Sequence, residues 1–234
     1  MKRTILITGA SSGIGREAAI ALAQEDHHLV LAARRVELLE EVAAQARSLG
    51  ATTTVVGIDL SQPGDGARAI EAIAQSEGYP VLVNNAGMIT MKPFLDQTWD
   101  TLAGQLQVNL HAPIELCHQF VPIALARGGG QILNILSIVA EQTFAQTSAY
   151  TAAKAGLRAF GRVLAAEYRR KGLKVTAILP GATDTPIWAG AGWSPKAEDM
   201  IPPIAIATAI ADVVRAPLTH NIEEITIMPT GGSL

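Results

Sequence analysis

Tyr150 and Lys154 stand four residues apart near the start of a helical pattern, so their side chains share one face. A free phenol, with a pKa of about 10, is a poor acid–base catalyst near neutrality. A neighbouring ammonium favours the phenolate and so lowers that pKa. Such a pair is common on helix surfaces and says little alone. Ser137 gives it weight, because it follows the apolar run Gln131–Leu136 and should lie at the end of a strand. A serine there can hydrogen-bond a substrate oxygen while Tyr150 exchanges a proton with it.

A second constellation lies near the start of the chain, in Thr8-Gly9-Ala10-Ser11-Ser12-Gly13-Ile14-Gly15. Gly9 allows a tight turn, Gly13 lets a phosphate approach the backbone, and Gly15 lets the following helix pack close to the sheet. The free N–H groups and dipole of a helix N-terminus would favour a pyrophosphate there. The spacing is G-x-x-x-G-x-G, not the general G-x-G-x-x-G, and the Gly-Lys-Ser/Thr ending of a P-loop is missing. An NAD-selective fold places an acid at the end of the second strand, about 20 residues on. Here that segment is Ala32-Ala33-Arg34-Arg35. An arginine can hold a 2′-phosphate by charge-assisted bonds, which favours NADP over NAD. Arg34 is the preferred phosphate ligand and Arg35 the candidate to stack on adenine. Both could also be solvated residues at a helix start.

These groups need a scaffold that brings strand ends together. Short apolar runs at Thr4–Thr8, Leu29–Ala33, Thr53–Ile58, Val81–Asn84, Gln131–Leu136, Lys174–Leu179 and Glu224–Met228 read as strands. Helical patterns alternate with them: about Gly13–Gln24, then Leu38 to Leu49 stopped by Gly50, and Ala67–Ser76. A long helix from about Thr98 to Ala126, Ala149–Lys171 and Pro203–Arg215 complete the set. Apolar strands alternating with helices imply a parallel sheet covered on both faces and right-handed crossovers. The expected architecture is α/β: one doubly wound Rossmann-type domain over residues 1–234, with about seven strands and ligands at their C-terminal ends.

Composition supports a well-packed globular chain: 234 residues, 49% hydrophobic and 17% charged. A formal net charge of −3 with no basic patch argues against nucleic acid as a partner. No signal segment and no run of about 20 apolar residues is visible, so no membrane is expected. The single Cys117 suggests a reducing compartment, and the cytoplasm is the expected location. The five histidines show no metal-ligand spacing, and no metal is expected. Ser137 lacks a G-x-S-x-G setting, and Thr151-x-x-Lys154 lacks the companion motifs of the β-lactam enzymes.

In order and approximate spacing, the chain resembles the short-chain dehydrogenases/reductases over nearly its whole length. The matching motifs are Thr8-Gly9-x-x-x-Gly13-Ile14-Gly15, Asn84-Asn85-Ala86-Gly87, Asn109, Ser137, Tyr150-x-x-x-Lys154 and Pro180-Gly181. The resemblance implies that Tyr150 gives a proton to a carbonyl oxygen as hydride arrives from a nicotinamide, or takes it in reverse. It implies that Ser137 polarises that oxygen, that Lys154 lowers the tyrosine pKa and binds the nicotinamide ribose, and that Asn109 holds a relay water. It also implies cofactor contacts from Ser11 and Ser12 in the glycine loop, and from Asp59 and Leu60, with Asp59 on the adenine. Further contacts would come from Asn85, Ala86 and Gly87 near the ribose, and from Pro180 and Gly181. Thr183 or Thr185 would meet the carboxamide. Leu136 stands where many relatives have a second serine.

A short flap, about 184–203, carries Trp188 and Trp193. They are either aromatic walls for an apolar substrate or packing residues of the flap against its own chain or a neighbouring subunit. Small residues along Ala149–Lys171 either form a subunit interface or reflect the helix propensity of alanine. By resemblance a homo-oligomer, tetramer or dimer, is expected. The expected function is NADP(H)-dependent interconversion of a carbonyl and a secondary alcohol on a small to medium, mostly apolar molecule. The alternative is a non-catalytic dinucleotide-binding redox sensor or interaction module.

Overall fold

In a computed structural model, residues 2–23 and 25–232 are described. Seven strands form one parallel sheet: β1 (Arg3–Thr8), β2 (His28–Ala33), β3 (Thr52–Gly57), β4 (Tyr79–Asn84), β5 (Gly130–Ile135), β6 (Leu173–Pro180) and β7 (Glu224–Ile227). Their order is β3-β2-β1-β4-β5-β6-β7, as a doubly wound α/β sheet requires. Alternate residues of each strand serve opposite faces. On β1, Ile5 and Ile7 pack beneath α1 (Gly13–Leu22), α2 (Val36–Ser48) and α7 (Pro203–Arg215). Leu6 packs on the other side with α3 (Ala67–Gln75), α5 (Ala112–Ala126) and the Ala165 end of α6 (Ser148–Tyr168). Both faces are covered, which is why the strands read as unbroken apolar runs.

Strands and helices fall within two or three residues of the expected bounds, with one exception. Gln24, expected as the last residue of the first helix, lies outside the described residues. The exception is the long helix. It divides into α4 (Trp99–Leu106), a π-helical turn at Gln107–His111, and α5. Pro113 explains the break: it has no N–H for the carbonyl of Asn109, its helical partner four residues back. Asn109 therefore sits in a π turn, a feature concentrated at functional sites.

The order of strands reverses between β1 and β4, where β2 and β3 lie to one side and β5 to β7 to the other. The ligand crevice of such a sheet lies at the C-terminal ends of these strands. The turn after β1 closes tightly: Gly9 has φ +68°, and its carbonyl would lie 2.5 Å from a Cβ on Gly15. Gly15→Ala is expected to destabilise the protein by about 1–3 kcal/mol through forced displacement of that turn, read as a lowered midpoint in urea unfolding. An unshifted midpoint would contradict this packing.

Candidate active site

Six strand ends converge on one cleft of about 620 Å³. The loop after β1 brings Gly9, Ser11, Ser12, Gly13 and Ile14; β2 ends in Arg34 and Arg35; β3 leads to Asp59 and Leu60. Asn85, Ala86 and Gly87 follow β4, Ser137 follows β5, and Pro180, Gly181, Thr183 and Thr185 come from β6 and the segment after it. Tyr150 and Lys154 reach the cleft from the first turns of α6. Of the residues given catalytic or cofactor-binding roles from the sequence, Gly15 and Asn109 alone do not line it.

The end of the cleft near β1, β2 and β3 is built for an anion. Ser12 caps α1 without a side-chain bond to the helix, and no acid occupies the first turn. The free N–H groups and positive end of the helix dipole are thus uncompensated at the cleft. A side chain at Gly13, whose φ is +54°, would crowd Thr185, its Cβ lying 3.1 Å from the threonine methyl. Arg35 donates to Ser12 Oγ at 2.8 Å and to Ser11 Oγ at 3.1 Å, so its guanidinium is folded over the glycine loop. Arg34 is exposed and also lines the cleft. The sequence suggested Arg34 as the phosphate ligand and Arg35 as a stacking group; in the structure Arg35 lies over the glycine loop and Arg34 on the lining of the same cleft. The residues present fit the pyrophosphate and 2′-phosphate of a dinucleotide.

At the far end, Tyr150 is 7% and Lys154 3% exposed. Ser137 lines the cleft with Tyr150, and its Oγ accepts from the Val139 N–H. Lys154 Nζ donates to the Ile135 carbonyl at 2.8 Å and lies 5.7 Å from the centre of the Tyr150 ring. Burial pushes the phenol up to about 12, opposed only by the Ser137 hydroxyl, and pushes the ammonium down to about 8. The expected depression of the tyrosine pKa by Lys154 is thus not met in this structure. The ammonium lies against the ring and is directed at a backbone carbonyl, and desolvation opposes charge on both groups.

These shifts set a pH dependence of stability. The unfolded chain holds the Lys154 proton to about pH 10.5, the folded one only to about 8. Stability contributed by Lys154 is therefore present at high pH and lost as pH falls through about 8. Tyr150 acts oppositely: its contribution is full below about pH 10 and lost as pH rises towards about 12. Stability of the wild type relative to Lys154→Met is expected to rise between about pH 8 and 10, measured by urea unfolding at each pH. A flat difference would contradict the burial of this lysine.

Asn109 and Asn85 serve the backbone. Asn109 Nδ2 donates to the Met88 and Gln105 carbonyls, both at 2.8 Å, and its Oδ1 accepts from the Met88 N–H. Its side-chain amide is thus spent on holding the Met88 and Gln105 backbone. Asn85 Nδ2 donates to the Thr8 carbonyl at 2.9 Å, which ties the segment after β4 to the start of the glycine loop. Asp59 Oδ1 accepts from the Ser61 N–H, and its own N–H donates to Asp65, which shapes the loop where an adenine edge would lie. Gln105, which the sequence reading missed, is fully buried one turn before Asn109 and accepts from the Thr90 N–H at 3.0 Å. Two amides one helical turn apart thus hold alternate residues of the segment after β4.

That segment supports the flap. The Met91 N–H donates to the Ala191 carbonyl at 2.8 Å, and the Lys92 N–H to the Gln146 carbonyl at 3.1 Å. Trp188 donates its indole N–H to the Thr183 carbonyl at 2.8 Å and meets Trp193 edge to face at 6.2 Å. Ile89, Met91, Val139 and Phe144 on the cleft wall were also missed, since nothing in their spacing marks them. Along α6, Ala153 and Gly161 are buried against their own chain, a packing role for part of the small-residue pattern. Among the described residues no cluster suits a metal ion, and no helix is long and apolar enough to cross a membrane.

Comparison with known proteins is consistent with this geometry. The family model for short chain dehydrogenases matches residues 3–193. The chain is 30% identical to a sepiapterin reductase of Chlorobaculum tepidum, across 100% of this chain and 99% of the relative. Its structure is similar to an alcohol dehydrogenase from the archaeon Thermococcus sibiricus complexed with 5-hydroxy-NADP (TM-score 0.90, 25% identity, 98% and 97% coverage). It is also similar to a short-chain dehydrogenase from Sphingobium yanoikuyae in complex with NADPH (TM-score 0.84, 32% identity, 97% and 88% coverage).

Proposed function

The chain belongs to the short-chain dehydrogenase family, and we propose that within it this protein is an NADP(H)-dependent oxidoreductase interconverting a carbonyl and a secondary alcohol. The observation that carries the reading is the meeting of Ser137, a buried Tyr150 and a buried Lys154 in the same cleft as a glycine loop and two arginines. When bound, the cofactor supplies the hydride that reaches the carbonyl carbon. Ser137 and Tyr150 hold the carbonyl oxygen, and Tyr150 gives it a proton as negative charge develops. Lys154 keeps a proton beneath the phenol and binds the nicotinamide ribose. Asn109 holds the relay water that restores the proton. The glycine loop carries the pyrophosphate, Arg34 and Arg35 the 2′-phosphate, Asp59 the adenine, and Thr183 or Thr185 the carboxamide.

The NADP- and NADPH-bound neighbours support the cofactor assignment. The apolar wall around Tyr150 supports a small to medium, mostly apolar substrate. A homo-oligomer is part of the proposal, with exposed Trp99 and Val163 on α4 and α6 available for contact. So is a cytoplasmic location, in keeping with the one buried, free Cys117. The test is a panel of ketones and alcohols, followed by absorbance of the reduced cofactor with NADPH and NADP⁺. Turnover of a ketone with NADPH is expected, and NADPH binding without turnover of any carbonyl would instead favour a redox sensor.

A further inference from the structure

We propose, on the basis of that reading, that the substrate is a neutral ketone bearing one aromatic or branched apolar substituent, and that Trp193 forms the side wall receiving it. Charged side chains on the cleft fall into two groups. Arg34, Arg35 and Asp59 lie beyond β2 and β3, and Lys154 lies beneath Tyr150. None belongs to the flap side of the cleft. There Tyr150 packs with Ile89, Val139 and Ala191, and Met91, Phe144, Ile187 and Trp188 lie against them.

Polar atoms on this side are largely spent within the protein. The Trp188 N–H is given to the Thr183 carbonyl. The Thr147 hydroxyl is engaged with the Phe144 carbonyl at 2.7 Å and with Thr151 at 2.8 Å. The flap's Ala191 carbonyl takes the Met91 N–H. Ser137 and Tyr150 therefore suit one substrate oxygen, while its neighbours suit carbon. A carboxylate or phosphate placed there would lose its water without gaining a cation. Trp193 is 52% exposed yet held edge to face against Trp188, which leaves an aromatic surface at the cleft mouth for a substituent to cover.

The experiment compares three ketones with NADPH: a short unbranched ketone, a neutral aryl alkyl ketone, and the same aryl ketone carrying a ring carboxylate. The neutral aryl ketone is expected to exceed the carboxylate by about 100-fold in kcat/KM, as an uncompensated buried charge demands. Trp193→Ala is expected to lower kcat/KM for the aryl ketone at least about tenfold more than for the short ketone. Binding is read separately by tryptophan fluorescence in Tyr150→Phe with NADPH present. Trp99, exposed on α4, is replaced by Phe there so that Trp188 and Trp193 alone report. Saturable quenching by the neutral aryl ketone, absent with its carboxylate, is expected. Quenching without reduction of any ketone by the wild type would sustain the apolar wall and overturn the oxidoreductase reading. Reduction of short or charged ketones as efficient as that of the aryl ketone would overturn the wall and leave the reading intact. Neither quenching nor reduction would overturn both.

Discussion

Tyr150→Phe is expected to lower reduction of a ketone by NADPH at least about a thousandfold, while NADPH binding stays within a few-fold of wild type. In the proposed mechanism the phenol hydroxyl is the proton donor, and phenylalanine removes it while keeping the ring that packs with Ile89 and Val139. Donation by a positioned acid is worth about 10²–10⁴-fold, and the lost hydrogen bond to the developing alkoxide adds to it. The fold has little reason to suffer, because the deletion leaves no charge unpaired. Unchanged turnover would remove Tyr150 from the chemistry. Ser137→Ala tests the same oxygen from its other side and should also depress kcat.

Removing both Arg34 and Arg35 as alanines is expected to weaken NADPH binding by about 100-fold and NADH binding by only a few-fold. Losing the partner of a charged group costs about 2–5 kcal/mol when desolvated, and the exposure of both arginines places the effect at the lower end. The single variants separate the two residues. Arg34→Ala should act on NADPH alone. Arg35→Ala should also disturb the glycine loop, because Arg35 is bonded to Ser11 and Ser12, and so weaken NADH slightly. Equal losses for the two cofactors, measured by titration of reduced-cofactor fluorescence, would deny these residues a 2′-phosphate.

Strands of apolar residues alternating with helices were legible because both faces of the sheet are covered, so each strand is a continuous run. The converging strand ends followed from that topology, and nearly every residue given a catalytic or cofactor role from the sequence lines the cleft they form. What was not legible depends on side-chain direction or on a backbone defect. The turn holding Asn109 lies inside a pattern of helical residues, and Pro113 is its only sequence signal. Arg35 folds onto the glycine loop because two serines there accept its bonds, a relation across 23 and 24 residues that no local spacing encodes. Lys154 pairs with a carbonyl on β5 rather than electrostatically lowering its tyrosine neighbour, since burial governs both groups. Trp188 shows the two readings of the flap to be compatible: its N–H anchors the flap to its own chain, and the residue also lines the cleft.

Transfer of deuterium from NADPH labelled at C4 to a ketone tests the central claim most directly, with both labelled faces of the nicotinamide assayed separately. The account predicts one deuterium on the carbinol carbon of the product from one face, none from the other, and none above background with Tyr150→Phe. An alcohol formed without label from either face, or no alcohol from any ketone despite bound NADPH, would contradict it.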